Sequence, residues 1–202
     1  MLVFQSDFGL VDGAVSAMHG VASTIDASIK IHDLTHDIPP YSIWDASYRL
    51  FQTIEYWPKG TVFVSVVDPG VGSARRSVVA ETVGGQYIVT PDNGTLTHIK
   101  KYVGLREVRE IDETIHRRED TEYSYTFHGR DVYANTGAKL ASGQISFEQV
   151  GSSVEISLMC ELEVGEVEKG KDFVKGNIDI LDVRFGSLWT NIPRDLFVEA
   201  GF

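Results

Sequence analysis

Three polar residues of this 202-residue chain stand where a predicted strand or helix meets a loop, and their types suit acid–base and binding chemistry. Asp7 and Asp68 each follow a short apolar run, and His128 stands just ahead of a helical pattern. A carboxylate can orient water or bind hydroxyl and ammonium groups, and such a histidine can act as an acid, a base or an anion ligand. Because Asp is also common in turns and a lone histidine is often structural, each residue alone admits either interpretation.

The elements that would position these residues alternate between strands and helices. Residues 61–67 form the strongest predicted strand, because this run is β-branched and almost wholly apolar, as in sheets covered on both faces. Residues 12–25 carry apolar side chains at helical spacing, with Asp12 able to cap their start. Further strands are predicted at residues 2–5, 29–34, 77–82 and 86–90, and further helices at residues 43–54 and 132–140. This alternation predicts an α/β layered domain with a largely parallel central sheet, whose ligand crevice lies beyond the carboxyl ends of the strands.

A polar stretch over residues 163–171 indicates a domain boundary. Residues 1–165 form the predicted N-terminal α/β domain, and a strand-rich pattern over residues 172–189 belongs to a second domain. The roughly thirty residues that follow the boundary are fewer than a domain usually needs to fold alone. We therefore expect residues 166–202 to be the beginning of an incomplete domain.

The composition limits which classes of partner the protein could bind and which cellular compartment we expect. The net charge of −11 and the pI of about 4.9 argue against a nucleic-acid partner, because neutralising phosphate needs clustered Lys and Arg. No run approaches the ~18 apolar residues of a membrane-spanning helix, and the N-terminus lacks the basic and long apolar regions of a secretion signal. Cys160 is the only cysteine, so no intrachain disulfide can form. The expected location is the cytoplasm, with no membrane partner.

Five blocks of the sequence together resemble the S-adenosyl-L-methionine hydroxide adenosyltransferases, which are relatives of the bacterial fluorinase and chlorinase. The blocks are Ser6-Asp7-Phe8-Gly9 with Asp12-Gly13, Val67-Asp68-Pro69-Gly70-Val71-Gly72-Ser73-Ala74-Arg75-Arg76, Pro91-Asp92-Asn93-Gly94, Thr126-Phe127-His128-Gly129-Arg130-Asp131, and Asp182-Val183-Arg184-Phe185-Gly186 continuing through Trp189-Thr190-Asn191-Ile192. The resemblance implies hydrolysis of S-adenosyl-L-methionine to adenosine and L-methionine, by attack of an activated water on the ribose 5′ carbon. It implies no cofactor and no metal, because S-adenosyl-L-methionine is the substrate and the scheme requires neither.

The resemblance also implies roles for individual residues. Asp68, Arg75 and His128 correspond to the trio that holds the attacking water in the family. The halide-using relatives lack this trio, which favours water over halide as the nucleophile. Asp7 corresponds to the ribose-binding carboxylate, whose two acceptor oxygens suit a vicinal diol. Asp182 corresponds to the residue that contacts the methionine amino group, for which a carboxylate is a charge-assisted partner.

Further substrate contacts are implied around these residues. Phe127, Phe185 and Trp189 correspond to aromatic or backbone contacts, and Tyr41 aligns with an aromatic lid position. Ser187 stands where the family usually has Asn, and its shorter side chain would weaken the contact to the methionine carboxylate.

The family's second domain is a β-barrel, so the resemblance implies that residues 166–202 begin a C-terminal β-barrel that continues beyond residue 202. In family members the site forms between the N-terminal domain of one subunit and the C-terminal domain of a neighbour in a trimer. We therefore expect a homotrimer with its site at a subunit interface. The adenine contacts would lie beyond residue 202.

Two other functions remain open on the sequence. In one, Asp7, Asp12, Asp68, Asp92 and His128 bind a divalent metal that hydrolyses a phosphoester or an amide. In the other, the chain is a non-catalytic module that binds S-adenosyl-L-methionine or adenosine. The Asp68, Arg75 and His128 trio counts against such a module, because a binder has no need to hold a water at the 5′ carbon.

Overall fold

The computed structural model describes residues 1–201, and the chain divides into two compact units. The first unit is Met1–Glu161 and the second is Leu162–Phe202. The first unit contains a seven-stranded sheet, and the second contains two sheets of two strands each. None of the helices in the described part of the chain is both long and apolar enough to cross a lipid bilayer.

The strands of the first unit form one mixed sheet. They are β1 (Leu2–Ser6), β2 (Ile31–Thr35), β3 (Val62–Val66), β4 (Ser77–Thr82), β5 (Tyr87–Pro91), β6 (Leu105–Glu110) and β7 (Ser153–Val154). Their order across the sheet is β2-β1-β3-β5-β4-β6-β7. Strands β1, β2, β3, β5 and β6 run in one direction, and β4 and β7 run in the other. The predicted α/β class with a largely parallel sheet is therefore confirmed.

Helices cover both faces of this sheet. They are α1 (Ala14–Ile25), α2 (Ile43–Ile54), α3 (Glu113–His116) and α4 (Asn135–Ser142), with π-helical turns at Ile99–Val103 and Gly129–Ala134 and 3-10 turns at Phe147–Val150 and Ile156–Leu158. Side chains alternate along β1, so that Leu2 and Phe4 pack in one apolar cluster with Met18 of α1. Val3 packs in a second cluster with Leu50 of α2. Both faces of the central strands are thus buried, which explains their continuous apolar sequence.

The helix boundaries follow local hydrogen bonding. The Asp12 carboxylate accepts a hydrogen bond from the Ala14 N–H at 2.8 Å, as predicted for the start of α1. Ser42 caps α2 by accepting from the Asp45 N–H. The helix predicted at residues 132–140 belongs to a longer helical segment, in which the π-helical turn Gly129–Ala134 runs directly into α4.

The parallel pairing of β1 with β3 positions the candidate site. In their register Ser6 lies opposite Val66. Asp7 and Asp68 follow these two strands, so both carboxylates emerge at the same edge of the sheet. This is the edge at which open α/β sheets bind their ligands.

The second unit is built from two antiparallel strand pairs and one short helix. Its elements are β8 (Glu168–Lys169), β9 (Val174–Lys175), β10 (Ile178–Asp182), β11 (Ser187–Thr190) and α5 (Arg194–Glu199). β8 pairs with β9, and β10 pairs with β11 around a turn in which Gly186 has a φ of +64°. Most of these strand residues lie in the segment that the sequence predicts to be strand-rich.

Candidate active site

A cavity of about 420 Å³ opens at the carboxyl edge of β1 and β3. Its lining residues come from the end of β3, from the loops that follow β1, β2 and β3, and from the segment that enters the π-helical turn preceding α4. They are Asp7, Phe8, Pro40, Tyr41, Val66, Asp68, Val71, Thr126, Phe127, His128 and Gly129. The cavity therefore combines carboxylates with aromatic walls, which is the composition of a small-molecule site.

Asp68 and Arg75 form a bidentate ion pair beside this cavity. Arg75 Nε donates to Asp68 Oδ1 at 2.7 Å, and a second guanidinium nitrogen donates to Asp68 Oδ2. The two side chains are only 6% and 10% exposed, respectively. Burial is the largest single influence and lowers the pKa of Arg75, but the hydrogen bond to Asp68 and the nearby negative groups together outweigh it, and the net pKa is raised. The pair thus holds a fixed carboxylate at the cavity wall and a fixed positive charge directly beside it.

His128 stands at the entry to the π-helical turn and is buried. Arg75 lies 3.5 Å from its Nδ1, and Arg117 lies 3.1 Å from its Nε2. Burial is the main reason that the pKa of His128 falls below its usual value; Glu113 opposes this shift, and the two arginines add to it. The imidazole is therefore neutral at pH 7.

Behind this trio lies a chain of polar contacts that sequence reasoning missed. Arg75 donates to Ser77 Oγ at 3.3 Å, and Ser77 donates to Glu113 Oε1 at 2.7 Å. Glu113 Oε2 accepts from Arg117 at 2.7 Å, and Arg117 contacts His128, which closes a ring of contacts back to Arg75. Burial is the largest single influence and raises the pKa of Glu113, but the hydrogen bonds from Ser77 and Arg117 and the neighbouring basic groups together outweigh it, and the net pKa is lowered. No sequence motif signals Glu113 or Arg117, because a tertiary contact alone brings them to His128.

Asp7 and Tyr41 meet on the other side of the cavity. The Tyr41 backbone N–H donates to Asp7 Oδ2 at 2.8 Å. Tyr41 has a φ of +66°, a left-handed conformation that is unfavourable for a residue with a side chain. Its ring is largely exposed. Such a strained residue at a cavity rim is typical of functional loops, and the contact with Asp7 helps to hold it there.

Two aromatic rings form a wall of the cavity. Phe8 and Phe127 meet edge to face, with ring centroids 5.8 Å apart. Gly129 makes this approach possible, because a Cβ at that position would lie 3.2 Å from the Phe8 ring and 3.3 Å from Val66. The sequence predicts a substrate contact for Phe127 but not for Phe8, although Phe8 belongs to the first block that resembles the family.

The structure thus brings six of the ten predicted site residues together in the first unit: Asp7, Tyr41, Asp68, Arg75, Phe127 and His128. The other four lie in the second unit, along the β10–β11 hairpin. Asp182 pairs with Ser187 across the hairpin and accepts hydrogen bonds from the Arg184 and Phe185 N–H groups. Trp189 pairs with Ile180. Their contacts with a substrate remain a prediction.

The metal alternative finds little support in the carboxylates that it requires. Asp68 is bonded to Arg75, Asp92 is bonded to Arg76 at 2.7 Å, and Asp12 accepts the Ala14 N–H at the start of α1. A guanidinium on a carboxylate occupies the oxygens and the charge that a cation would need.

Elsewhere in the described residues, His19, Asp33 and His36 place their ligand atoms within 4.8 Å of one another, close enough for a metal ion. In this structure Asp33 Oδ1 instead contacts Nε2 of His19 at 2.8 Å and Nε2 of His36 at 3.0 Å. Hydrogen bonds therefore satisfy this cluster.

Comparison with known proteins gives consistent matches. Residues 2–151 match the family described as the SAM hydroxide adenosyltransferase N-terminal domain. The chain is 36% identical over 200 residues to the (R)-S-adenosyl-L-methionine hydrolase of Methanocaldococcus jannaschii, covering 96% of this chain and 68% of that protein. It is 28% identical over 226 residues to the fluorinase of an Actinoplanes species, covering 100% of this chain and 74% of that protein.

A solved structure of an uncharacterized conserved protein from Thermotoga maritima shares the fold. The TM-score is 0.92 at 36% sequence identity, covering 100% of this chain and 75% of the other. The fold and the sequence match therefore extend over both units of the chain.

Proposed function

The chain belongs to the S-adenosyl-L-methionine hydroxide adenosyltransferase family, and from this premise we propose that it hydrolyses S-adenosyl-L-methionine to adenosine and L-methionine. The observation that carries the proposal is that Asp68 and His128 line one cavity and Arg75 contacts both of them. A protein that only binds the substrate would not need the buried Asp68–Arg75 ion pair in contact with the neutral imidazole of His128.

The cavity walls suit the adenosine half of this substrate. Asp7 Oδ2 accepts the Tyr41 N–H, and the remaining acceptor positions of the carboxylate suit the two ribose hydroxyls. Phe8 and Phe127 offer apolar surface to the sugar and to the sulfonium methylene groups. Asp182 of the second unit is proposed to bind the methionine ammonium group, with Phe185, Ser187 and Trp189 as further contacts.

In the proposed reaction a water oxygen forms a bond to the ribose 5′ carbon while the bond from that carbon to sulfur breaks. The electron pair of the broken bond goes to sulfur, which leaves as the neutral thioether of methionine. Because the sulfonium is a good leaving group, the protein's task is to hold the water in line and to accept its proton. Positioning of this kind can supply roughly 7–11 kcal/mol of the barrier. Arg75 stabilises the developing hydroxide charge, and Asp68 and His128 orient the water.

We also propose that the protein works as a cytoplasmic homotrimer with the site at a subunit interface. Several apolar side chains are exposed in the single chain, among them Leu10, Val11 and the cavity-lining Tyr41. A neighbouring subunit would cover them, and covering exposed apolar surface favours association. Cys160 is a free thiol, which fits a reducing compartment. Light scattering gives the oligomeric mass directly, and a monomeric mass would contradict the trimer.

The test of the activity is to incubate the protein with S-adenosyl-L-methionine and to separate the products by chromatography. We expect adenosine and methionine in equal amounts. In oxygen-18 water the adenosine should carry the label at its 5′ oxygen, because the attacking water supplies that atom. Preferential formation of 5′-chloro-5′-deoxyadenosine in chloride buffer would show that halide, not water, is the nucleophile.

A further inference from the structure

We propose that Arg117, itself held by Glu113, is a positioning residue that fixes the imidazole of His128 with its proton on Nδ1. The inference rests on the proposed function, because it assigns a task to His128 in the attack by water. Arg117 lies outside the five sequence blocks that carry the family resemblance. It does not line the cavity, and it acts only through His128.

The contacts of Arg117 fix the direction from which it meets the imidazole. One terminal nitrogen of its guanidinium donates to Glu113 Oε2 at 2.7 Å and lies 3.1 Å from His128 Nε2. The other terminal nitrogen donates to the Ser124 carbonyl at 3.1 Å. The side chain is only 11% exposed, so these partners and not solvent determine where the guanidinium lies.

A guanidinium has donors and no acceptor, so His128 Nε2 must accept the hydrogen bond from Arg117. A neutral imidazole has one lone pair available in the ring plane. If this lone pair is on Nε2, the ring proton is on Nδ1. Arg75 stands 3.5 Å from Nδ1, a longer contact, and it cannot also donate to a nitrogen that carries a proton. The shorter contact with Arg117 therefore decides the tautomer.

The charges around the ring support the neutral state. The groups that face it are Asp68, Arg75, Glu113 and Arg117, which form two ion pairs of zero net charge. A charged imidazolium would place its two N–H donors against two guanidinium groups, with neither nitrogen able to accept. Burial and the two arginines lower the pKa of His128 more than Glu113 and Asp68 raise it.

This tautomer determines which of the two candidate proton acceptors, His128 or Asp68, takes the proton of the attacking water. With Nδ1 protonated and Nε2 occupied by Arg117, His128 can donate a hydrogen bond to the water but cannot take its proton. The proton that the water loses on attack therefore goes to the carboxylate of Asp68. Arg75 remains charged and stabilises the oxygen on which negative charge develops.

The test combines nuclear magnetic resonance with kinetics on the intact protein. Nitrogen-15 spectra of the imidazole groups, with His128 assigned by comparison with His128→Gln, report which ring nitrogen carries the proton. Arg117→Met removes the donor but keeps a side chain of similar length. Arg118→Met is the matched control. Arg118 is the next residue in the chain and its side chain is exposed, so this variant removes the same positive charge without touching His128. Glu113→Gln is a milder variant, since its amide still offers an oxygen to Arg117.

We expect a protonated Nδ1 in the unchanged protein. In Arg117→Met the proton should move to Nε2, because Arg75 then becomes the only donor facing the ring, and the pKa of His128 should rise. The turnover number should fall roughly 10- to 100-fold with KM within about threefold, since a wrong tautomer impairs catalysis more than binding. Arg118→Met should match the unchanged protein, and Glu113→Gln should give a mixed tautomer and a smaller loss of turnover.

A protonated Nε2 in the unchanged protein would overturn the proposal without any variant. An Arg117→Met protein that keeps both its tautomer and its turnover would overturn it as well. The tautomer is measured without substrate. A protein that shows the expected tautomer but releases no adenosine would therefore refute the proposed function, and not the role of Arg117 in holding the ring.

Discussion

The two units of the chain place their predicted site residues in opposite environments. In the first unit, Asp68 and Arg75 are almost fully buried and bonded to each other. In the second unit, Phe185 is 85% exposed on the turn of the β10–β11 hairpin. A buried charge is tolerated only with a partner, so folding itself fixes the geometry of the first group. An exposed aromatic ring stabilises a complex only when a ligand or another chain covers it. On the proposed function, we therefore expect the first unit to supply preorganised chemistry and the second to supply binding energy.

The largest effect should follow from Arg75→Ala. This change leaves the Asp68 carboxylate buried without its cation, which costs about 3–5 kcal/mol of the free energy of unfolding. It also removes the charge that stabilises the attacking oxygen, so the turnover number should fall roughly 10²- to 10³-fold. Both are measurable, by denaturant unfolding and by adenosine release.

Arg76→Ala is the matched control, because Arg76 also forms an ion pair, at 2.7 Å, but its partner Asp92 does not line the cavity, whereas Arg75 contacts the lining residues Asp68 and His128. It should lose stability and keep its turnover number. Equal losses of turnover in the two variants would remove Arg75 from the chemistry and weaken the contrast between the units.

Mild acid should weaken the first unit and not the second. Burial is the main reason that the pKa of His98 falls to about 4, and Lys101 adds to the shift. The unfolded chain, with a His pKa near 6.5, binds a proton that the native protein does not bind between these two values. The stabilisation that comes from keeping His98 neutral is therefore fully present above about pH 6.5. As the pH drops toward 4, the free energy of unfolding falls by about 3 kcal/mol. The second unit contains no histidine and should lack this dependence.

Hydrogen exchange can follow the two units separately, with amides of β3 reporting the first and amides of β10 the second. In His98→Asn, whose amide can still bond to Ser47, the loss of β3 protection between pH 6.5 and 4 should be smaller. If β10 shows the same histidine-like pH dependence as β3, the two units do not differ in the predicted way.

Much of the first unit could be predicted from the sequence because its signals are local. The β-branched run at residues 61–67 contains β3 (Val62–Val66), and strands of this kind are apolar throughout because both of their faces are covered. The parallel pairing of β1 and β3 then brings Asp7 and Asp68 to one edge. These parts of the site follow from periodicity and from the rule for parallel sheets.

Other parts of the site depend on contacts that periodicity does not encode. Glu113 belongs to the one-turn helix α3, and Arg117 follows that helix directly, so no hydrophobic pattern marks either residue. The helical segment begins at Gly129 and not at the predicted Val132, because its first turn is π-helical and lacks a side-chain cap. The sequence does not predict β6 and β7, because four of the six residues of β6 are charged and β7 is only two residues long.

Asp7→Ala should impair binding more than chemistry. The two ribose hydroxyls would lose an ionised acceptor, at a cost of roughly 1.5–3 kcal/mol, so the Kd for adenosine should rise about tenfold to a hundredfold. Asp12→Ala is the matched control: its carboxylate belongs to the same sequence block, does not line the cavity, and accepts a hydrogen bond from the Ala14 N–H at the start of α1. The control should lose about 1 kcal/mol of stability and bind adenosine normally. An unchanged Kd in Asp7→Ala would remove Asp7 from the site.

The smallest effect should come from the second unit, with Phe185→Ala. The exposed ring makes little contribution to folding, so the free energy of unfolding should change by less than about 0.5 kcal/mol. If the ring packs on the methionine half of the substrate, its loss should cost about 1 kcal/mol, or roughly a fivefold rise in KM with kcat unchanged. Val183→Ala is the matched control on the same turn, since Val183 is equally exposed and has no predicted role.

Titration with adenosine alone separates the two halves of the substrate, because Phe185→Ala should leave the affinity for adenosine unchanged. A fall in kcat without a rise in KM would mean that the second unit takes part in the chemistry, and the division of labour between the units would then be wrong.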